Sequence, residues 1–361
     1  MENVSMTGCD LHDKKIVLRT VLGRGNERTM NAENTPGGRR VLISKLKADA
    51  AAAGCKRIVL AYEASGQGFS LCDELIEAGI ECFVLAPTKI ARSSKQKKEK
   101  TDAKDARQLL DLLRGHVLAG TELPSVRVPT LQERDDRELT RSRLDLADKQ
   151  SRIKAQIKAL LKRNGVERPS DIGKGWTKKQ SAWLEGLTEK GLRPGAEVAL
   201  DSLLRQYESA RKEIARLDKK LAALAKEERH AARLSALTKL DGVALLSALV
   251  FLVEMGEMGR FANRRKVGSY IGLVPSSNET GESSDRKGNI TRQGSAFLRR
   301  ILCQCAWARM RTDPVEKARY AELVERNPKK KKIAVVALMR RLAIRMWHAA
   351  ALSEPVRKAV A

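Results

Sequence analysis

Four carboxylates in the first third of the chain are spaced so that they could hold metal ions. Asp10 stands in "TGCDLHDKK", Glu63 closes the apolar run "VLAYE", and Asp102 and Asp105 sit three apart in "KTDAKDARQLL". A carboxylate at the end of an apolar strand costs free energy unless something compensates it. Residues three apart at a helix start project to the same face. Two strand acids and a helix pair can thus gather four hard oxygen donors, a set suited to octahedral Mg2+, with Mn2+ as an alternative, and to two-metal phosphoryl transfer. Competing readings exist: Asp13 rivals Asp10, and Asp102 and Asp105 could simply complement a helix dipole behind a Thr101 cap. The second candidate is "PSSNETGESSDRKGNITRQGS", Pro275 to Ser295, a loop of hydroxyls and glycines carrying Arg286, Lys287 and Arg292. Its glycines permit close approach of a backbone and its cations suit a phosphate. Arg299 and Arg300, on the next helix, would extend that basic face. The plainer reading is a solvated loop whose hydroxyls suit turns.

The elements that must position these residues fall into three stretches. Over residues 1–124 strands and helices alternate: Lys14–Leu22 reads as a strand, Val41–Gly54 as a helix, and Cys55–Glu63 as a buried strand. "FSLCDELIEAG" then reads as a helix, "IECFVLA" as a strand, and "TDAKDARQLLDLLRG" as a helix stopping at Gly115. Asp10 falls just ahead of the first strand, and the whole predicts an α/β layer. Residues 125–235 read as a long helical arm, in which Leu203, Tyr207, Ala210, Ile214, Leu217, Leu221 and Leu224 form a heptad seam of coiled-coil type. Its partner is either the helix around Leu139–Leu161 or a second chain. Residues 236–361 read as a compact helical domain: an apolar helix pair, a basic helix ending at Pro275, the polar loop, and further helices. The last helix follows Pro328 and Lys329–Lys332, and its Val335, Leu338 and Leu342 suit a core while the lysines suit phosphate.

Composition narrows the partner. A net charge of +26 over 361 residues points to a polyanion, most simply nucleic acid. An aromatic share of 4% argues against base stacking as the main recognition device and for phosphate and groove contacts. No run approaches the roughly 20 apolar residues that span a bilayer, and no secretory signal opens the chain, so a cytoplasmic protein without membrane attachment is expected. The six cysteines lack zinc-site spacing and read as buried thiols. There is no GxxxxGK[ST] phosphate loop.

With these motifs in order, the chain resembles the DEDD transposases of bacterial insertion sequences, the "IS one-ten" family, which includes the Piv-type DNA invertases. The resemblance is carried by "GCDLHDKK", "IVLAYEASG", "FVLAPTKIAR", "KTDAKDARQLL" and "KVGSYIGLVP…TGESS…GNITRQGSAFLRRIL". It implies α/β plus all-α architecture: a RuvC-like, RNase H-type domain, a coiled-coil or helical arm, and a helical transposase domain. It implies a metal tetrad of Asp10, Glu63, Asp102 and Asp105. It also implies target and donor DNA as substrates, a structured noncoding guide RNA (the bridge RNA) as partner, and homodimers that pair into a tetramer. In the family a loop serine attacks DNA and holds it covalently; here Thr280 stands at that place, followed by Gly281. Threonine is a competent nucleophile when activated, although its β-methyl restricts the approach. Ser283 or Ser284, ahead of Ser276 or Ser277, are alternative nucleophiles, and binding without cutting is a third reading. The function expected is an RNA-guided, Mg2+-dependent recombinase that moves an insertion sequence. Its rivals are a junction-resolvase-like nuclease that needs no loop hydroxyl, and a catalytically silent RNA/DNA-binding relative.

Overall fold

The computed structural model describes residues 3–90, 101–173, 175–277, 287–326 and 328–353. The chain divides into two compact units, Met1–Val128 and Pro129–Ala361.

The first unit is a mixed five-stranded sheet with helices on both faces. Strands β1 (Val4–Leu11), β2 (Lys15–Leu22), β3 (Arg28–Glu33), β4 (Arg57–Glu63) and β5 (Glu81–Leu85) lie in the order β3-β2-β1-β4-β5. The β1–β2 and β2–β3 pairs are antiparallel, whereas β1–β4 and β4–β5 are parallel. One face packs Cys9, Ile16, Leu18, Leu60 and Tyr62 against Leu42 and Leu46 of α1 (Pro36–Ala52) and Leu71 and Leu75 of α2 (Ser70–Glu77). The other packs Val4, Met6, Val59 and Ala61 against Leu109, Leu110 and Leu113 of α3 (Asp102–Ala119). Alternation along a strand thus assigns odd β1 residues to one helix layer and even ones to the other. This layout fits an RNase H-type domain.

Three local expectations change. Asp10, expected ahead of the first strand, lies within β1, a strand masked in the sequence by Thr7 and Gly8. Helix α3 runs through Gly115 and ends at Gly120, whose φ of 69° supplies the left-handed cap. The polar Arg28–Glu33 edge strand carries no apolar run that would have announced it.

In the second unit α4 (Leu131–Arg163) and α6 (Pro194–Leu224) form an antiparallel helical hairpin with α5 (Lys178–Lys190) between them in sequence. Arg143 of α4 pairs with Asp218 of α6 at 2.7 Å, while Ile157 and Leu161 share a cluster with Leu200 and Leu203 at the other end. The seam residues Ala210, Leu217, Leu221 and Leu224 are buried, so the stripe is covered within this chain, by α4 along the hairpin and by the helical core at Leu221 and Leu224. A capping box starts α4: Thr130 Oγ1 accepts from Glu133 N, and Glu133 Oε2 accepts from Thr130 N.

The remaining helices are α7 (Glu228–Thr238), α8 (Leu245–Met255), α9 (Arg264–Ile271), α10 (Ala296–Thr312), α11 (Pro314–Arg326) and α12 (Lys331–Leu352). Phe251, Leu252, Leu298, Leu302, Leu338 and Leu342 are among their core residues, which Leu221 and Leu224 of α6 join. The expected Val335–Leu338–Leu342 stripe is buried and Lys329–Lys332 are exposed. Buried charges on α8 and α4 are paired: Arg141 Nε donates to Glu254 Oε1 at 2.8 Å, and Asp136 accepts from both Arg229 and His230. No helix among the described residues is long and apolar enough to cross a membrane.

Candidate metal site and basic hairpin

The acidic site begins with a glycine. A Cβ on Gly8 would lie 2.1 Å from the Ala106 carbonyl oxygen and 2.3 Å from Leu110 N, so α3 sits directly on the β1 backbone. That contact brings the first turn of α3, with Asp102 and Asp105, to the end of β1 where Asp10 emerges. The parallel ladder pairs Gly8 with Ala61 and Cys9 with Tyr62; the next residues, Asp10 and Glu63, therefore leave adjacent strands on the α3 face. Thr101 does cap the helix, accepting from Lys104 N at 3.3 Å, so the capping role and the carboxylate display coexist.

Ligand atoms of Asp10, His12 and Asp102 all lie within 4.8 Å of one another. His12 Nε2 is 2.9 Å from Asp10 Oδ2 and 3.4 Å from Asp102 Oδ1, and Lys15 Nζ is 4.0 Å from Asp102 Oδ2. Burial pushes the Asp10 carboxyl above its usual range; His12 opposes that shift, while the negative charges of Asp105 and Asp102 add to it. Neighbouring ligands of an ion held at about 2.1 Å stand about 3 Å apart, so this donor set fits a divalent cation after small side-chain rotations. Crowded carboxylates of this kind are relieved by such an ion.

Of the four acids expected, Asp10 and Asp102 come together, with His12 beside them; Asp105 is on the first turn of α3 and Glu63 on the neighbouring strand end, and neither is part of that group. Asp13 is directed elsewhere and accepts from Gln67 Nε2 at 3.1 Å. His12 was missed by sequence reasoning: it stands just beyond the end of β1, and its local spacing carries no signal of its own.

The polar loop starts and ends in a two-stranded ladder, β6 (Pro275–Ser277) with β7 (Lys287–Ile290), in which Pro275 pairs with Ile290 and Ser277 with Lys287. Thr280, Gly281, Ser283, Ser284 and Arg286 lie outside the described residues. The basic helix α9 ends at Gly272 rather than at Pro275. Arg292 is exposed and holds a φ of 55°, an uncommon conformation for a non-glycine residue. Arg299 Nη1 donates to the carbonyls of Gly294 and Ile271, tying α10 to the end of α9; burial lowers its pKa and the charge of Arg292 adds to the effect. Arg300 pairs with Asp148 of α4. The described cations therefore divide: Arg292 faces solvent, and Arg299 and Arg300 also hold the surrounding elements together.

An acidic site on the end of a mixed sheet, in a chain of net charge +26, suits an enzyme that acts on nucleic acid through a divalent cation. Comparison with known proteins makes the assignment specific. A DEDD transposase profile of the IS110 group matches residues 7–164, and the profile described as the transposase IS116/IS110/IS902 family matches residues 234–321. The y4qE protein of Sinorhizobium fredii is 31% identical over 252 residues, covering 70% of this chain and 58% of that protein. The y4rJ protein of the same strain is 29% identical over 310 residues, covering 80% and 76%; both carry transposase names. The transposase for insertion sequence element IS1533 of Leptospira borgpetersenii is 26% identical over 318 residues, covering 85% and 86%. The chain belongs to the IS110 family of DEDD transposases, enzymes that act on DNA.

Proposed function

We propose that this protein is an RNA-guided DNA recombinase that moves an insertion sequence through a covalent protein–DNA intermediate. The observation that supports this reading is the approach of Asp10, from a strand end, to Asp102, from a helix start, with Asp105 on the same helix turn and Glu63 on the adjacent strand end. In this reading the four carboxylates hold Mg2+ or Mn2+. When bound, the metal supplies Lewis-acid stabilisation of charge developing on the phosphoryl oxygens. Asp10 and Asp102 would orient the bound ion, and Arg286, Lys287 and Arg292 would hold DNA phosphate. The Thr280 hydroxyl attacks phosphorus, forming one P–O ester bond as another breaks, and the departing DNA hydroxyl takes up a proton. Bond energy is conserved in the adduct, so no nucleotide triphosphate is consumed.

The net charge of +26 supports delegation of sequence reading to a guide RNA while the protein holds backbone. We divide the chain functionally into a RuvC-like domain (residues 1–124), a helical arm (125–235) and a transposase domain (236–361), acting in the cytoplasm as homodimers that pair into a tetramer.

The test is a covalent-adduct assay with the flanking noncoding RNA, Mg2+ and labelled donor DNA, followed by denaturing gels and peptide mapping. An adduct on Thr280 that disappears in Thr280→Ala and persists in Thr280→Ser is expected. Metal-dependent cleavage with no adduct in any form would instead establish a nuclease.

A further inference from the structure

We propose that His12 is itself a metal ligand, a nitrogen donor added to the carboxylates, and that it biases the site toward Mn2+ over Mg2+. This rests on the metal-dependent reading above. Nε2 of His12 faces two carboxylates from different elements, at 2.9 Å from Asp10 Oδ2 and 3.4 Å from Asp102 Oδ1. An ion drawn between those two oxygens takes this nitrogen as its third neighbour. Ligation uses the Nε2 lone pair, with the ring proton on Nδ1, so the present hydrogen bond to Asp10 is replaced by a shared ion.

The turn that presents the imidazole is braced on both sides. His12 N donates to Lys15 O at 2.9 Å, and His12 O accepts from Asn34 Nδ2 at 2.8 Å. Asn34 Oδ1 in turn accepts from Arg39 Nη1 at 2.9 Å, and Arg39 is forked onto Glu74, its Nη2 2.7 Å from Oε1. A chain of charge-assisted contacts from α1 and α2 thereby fixes the backbone of a single residue beside the acids. Such outer contacts are how ligand orientation is set at metal centres. Accessibility also suits the role: the His12 and Asp102 side chains are 44% and 48% exposed and Asp10 only 19%, so the ion would be anchored on one side and open to a phosphate on the other.

Donor chemistry gives the selectivity. Mg2+ favours oxygen ligands in strict octahedral geometry, whereas imidazole suits later first-row ions, and Mn2+ lies between the two. Removing one nitrogen donor should therefore cost Mn2+ more than Mg2+.

The experiment is pulsed EPR of Mn2+ bound to the full chain, with calorimetric titrations of Mn2+ and Mg2+, on wild type, His12→Gln, His12→Asp and Asp10→Asn. Circular dichroism checks that each variant is folded. We expect histidine nitrogen hyperfine coupling to Mn2+ in wild type and none in His12→Gln. Mn2+ affinity should fall at least about tenfold in that variant, with Mg2+ affinity changing much less. His12→Asp should bind both ions without nitrogen coupling and with the preference moved toward Mg2+. The other three histidines are internal controls: His116 contacts the Thr121 carbonyl, His230 pairs with Asp136, and His348 lies against the neighbouring Trp347 ring. Bound Mn2+ that lacks histidine nitrogen coupling, or an Mn2+-to-Mg2+ ratio unchanged in His12→Gln, overturns the proposal and leaves the metal-dependent reading standing. Isotherms identical in wild type and Asp10→Asn overturn that reading and the proposal with it.

Discussion

The acidic site and the basic hairpin are held by different kinds of structure. Asp10 leaves a sheet interior and Asp102 and Asp105 leave a helix seated on that sheet without an intervening side chain at Gly8. The hairpin rests on one three-residue and one four-residue strand, and Arg299 ties the helices that flank it, α9 and α10, to each other. Ligand geometry in the first unit is thus set by close packing, which deforms little. Charge in the second unit is distributed over individual side chains, whose contributions to phosphate binding add in small increments. Changes to scaffold or ligand should act sharply in the first region, and changes of charge should act gradually in the second.

The sharpest break is Asp102→Asn. Strand exchange should fall by at least about 100-fold, the scale of losing a preorganised electrostatic group, while the melting temperature barely moves because Asp102 is half exposed. If Asp102 only complemented the helix dipole, activity would persist and stability would drop by about 0.3–1 kcal/mol.

Next in size is Gly8→Ala, which leaves every ligand in place and attacks only the close approach. The Cβ would meet backbone at 2.1 Å, so α3 must move, and urea denaturation should show a loss of about 1–3 kcal/mol. Metal affinity should weaken with it; unchanged affinity would show that the ligands do not depend on this contact.

A pH dependence sharpens the contrast from the side of the second unit. Burial alone would raise the Asp136 carboxyl, but hydrogen bonds from His230 and Arg229 outweigh it and hold it below the ordinary aspartate range. A carboxyl depressed in the folded state contributes stability above its unfolded pKa and loses it as pH falls through the folded value. Urea midpoints should therefore decline in acid below the ordinary aspartate range, and Asp136→Asn should flatten that decline.

The smallest expected effect is Arg292→Ala. Binding to nucleic acid should weaken almost equally for all sequences, and the slope of log affinity against log salt should shrink by about one. A sequence-selective loss would mean that Arg292 reads bases.

The strands and helices with apolar runs were legible in advance: β2, β4, β5, α2 and α8 fall where periodicity places them, whereas the apolar helix pair expected at the start of residues 236–361 is a single helix there, α7 having ended at Thr238. The polar edge strand Arg28–Glu33 was not, because sheet edges need no apolar alternation. Strand β1 was hidden for a different reason. Gly8 reads locally as a breaker, yet it stands there because α3 crosses the strand at that residue. His12 went unnoticed because an isolated histidine carries no pattern until a fold brings it to 3.4 Å from an aspartate 90 residues away.

By itself the sequence determined residue chemistry: the acids, the excess of cations, the seam of α6 and the family motifs. Those depend on local spacing and composition. Which aspartate of the Asp10/Asp13 pair faces the site, which helix covers the seam, and that an imidazole stands between two carboxylates were decided only in the tertiary structure. Each is a relation between segments far apart in the chain, fixed by strand register and by the steric fit of α3 against Gly8.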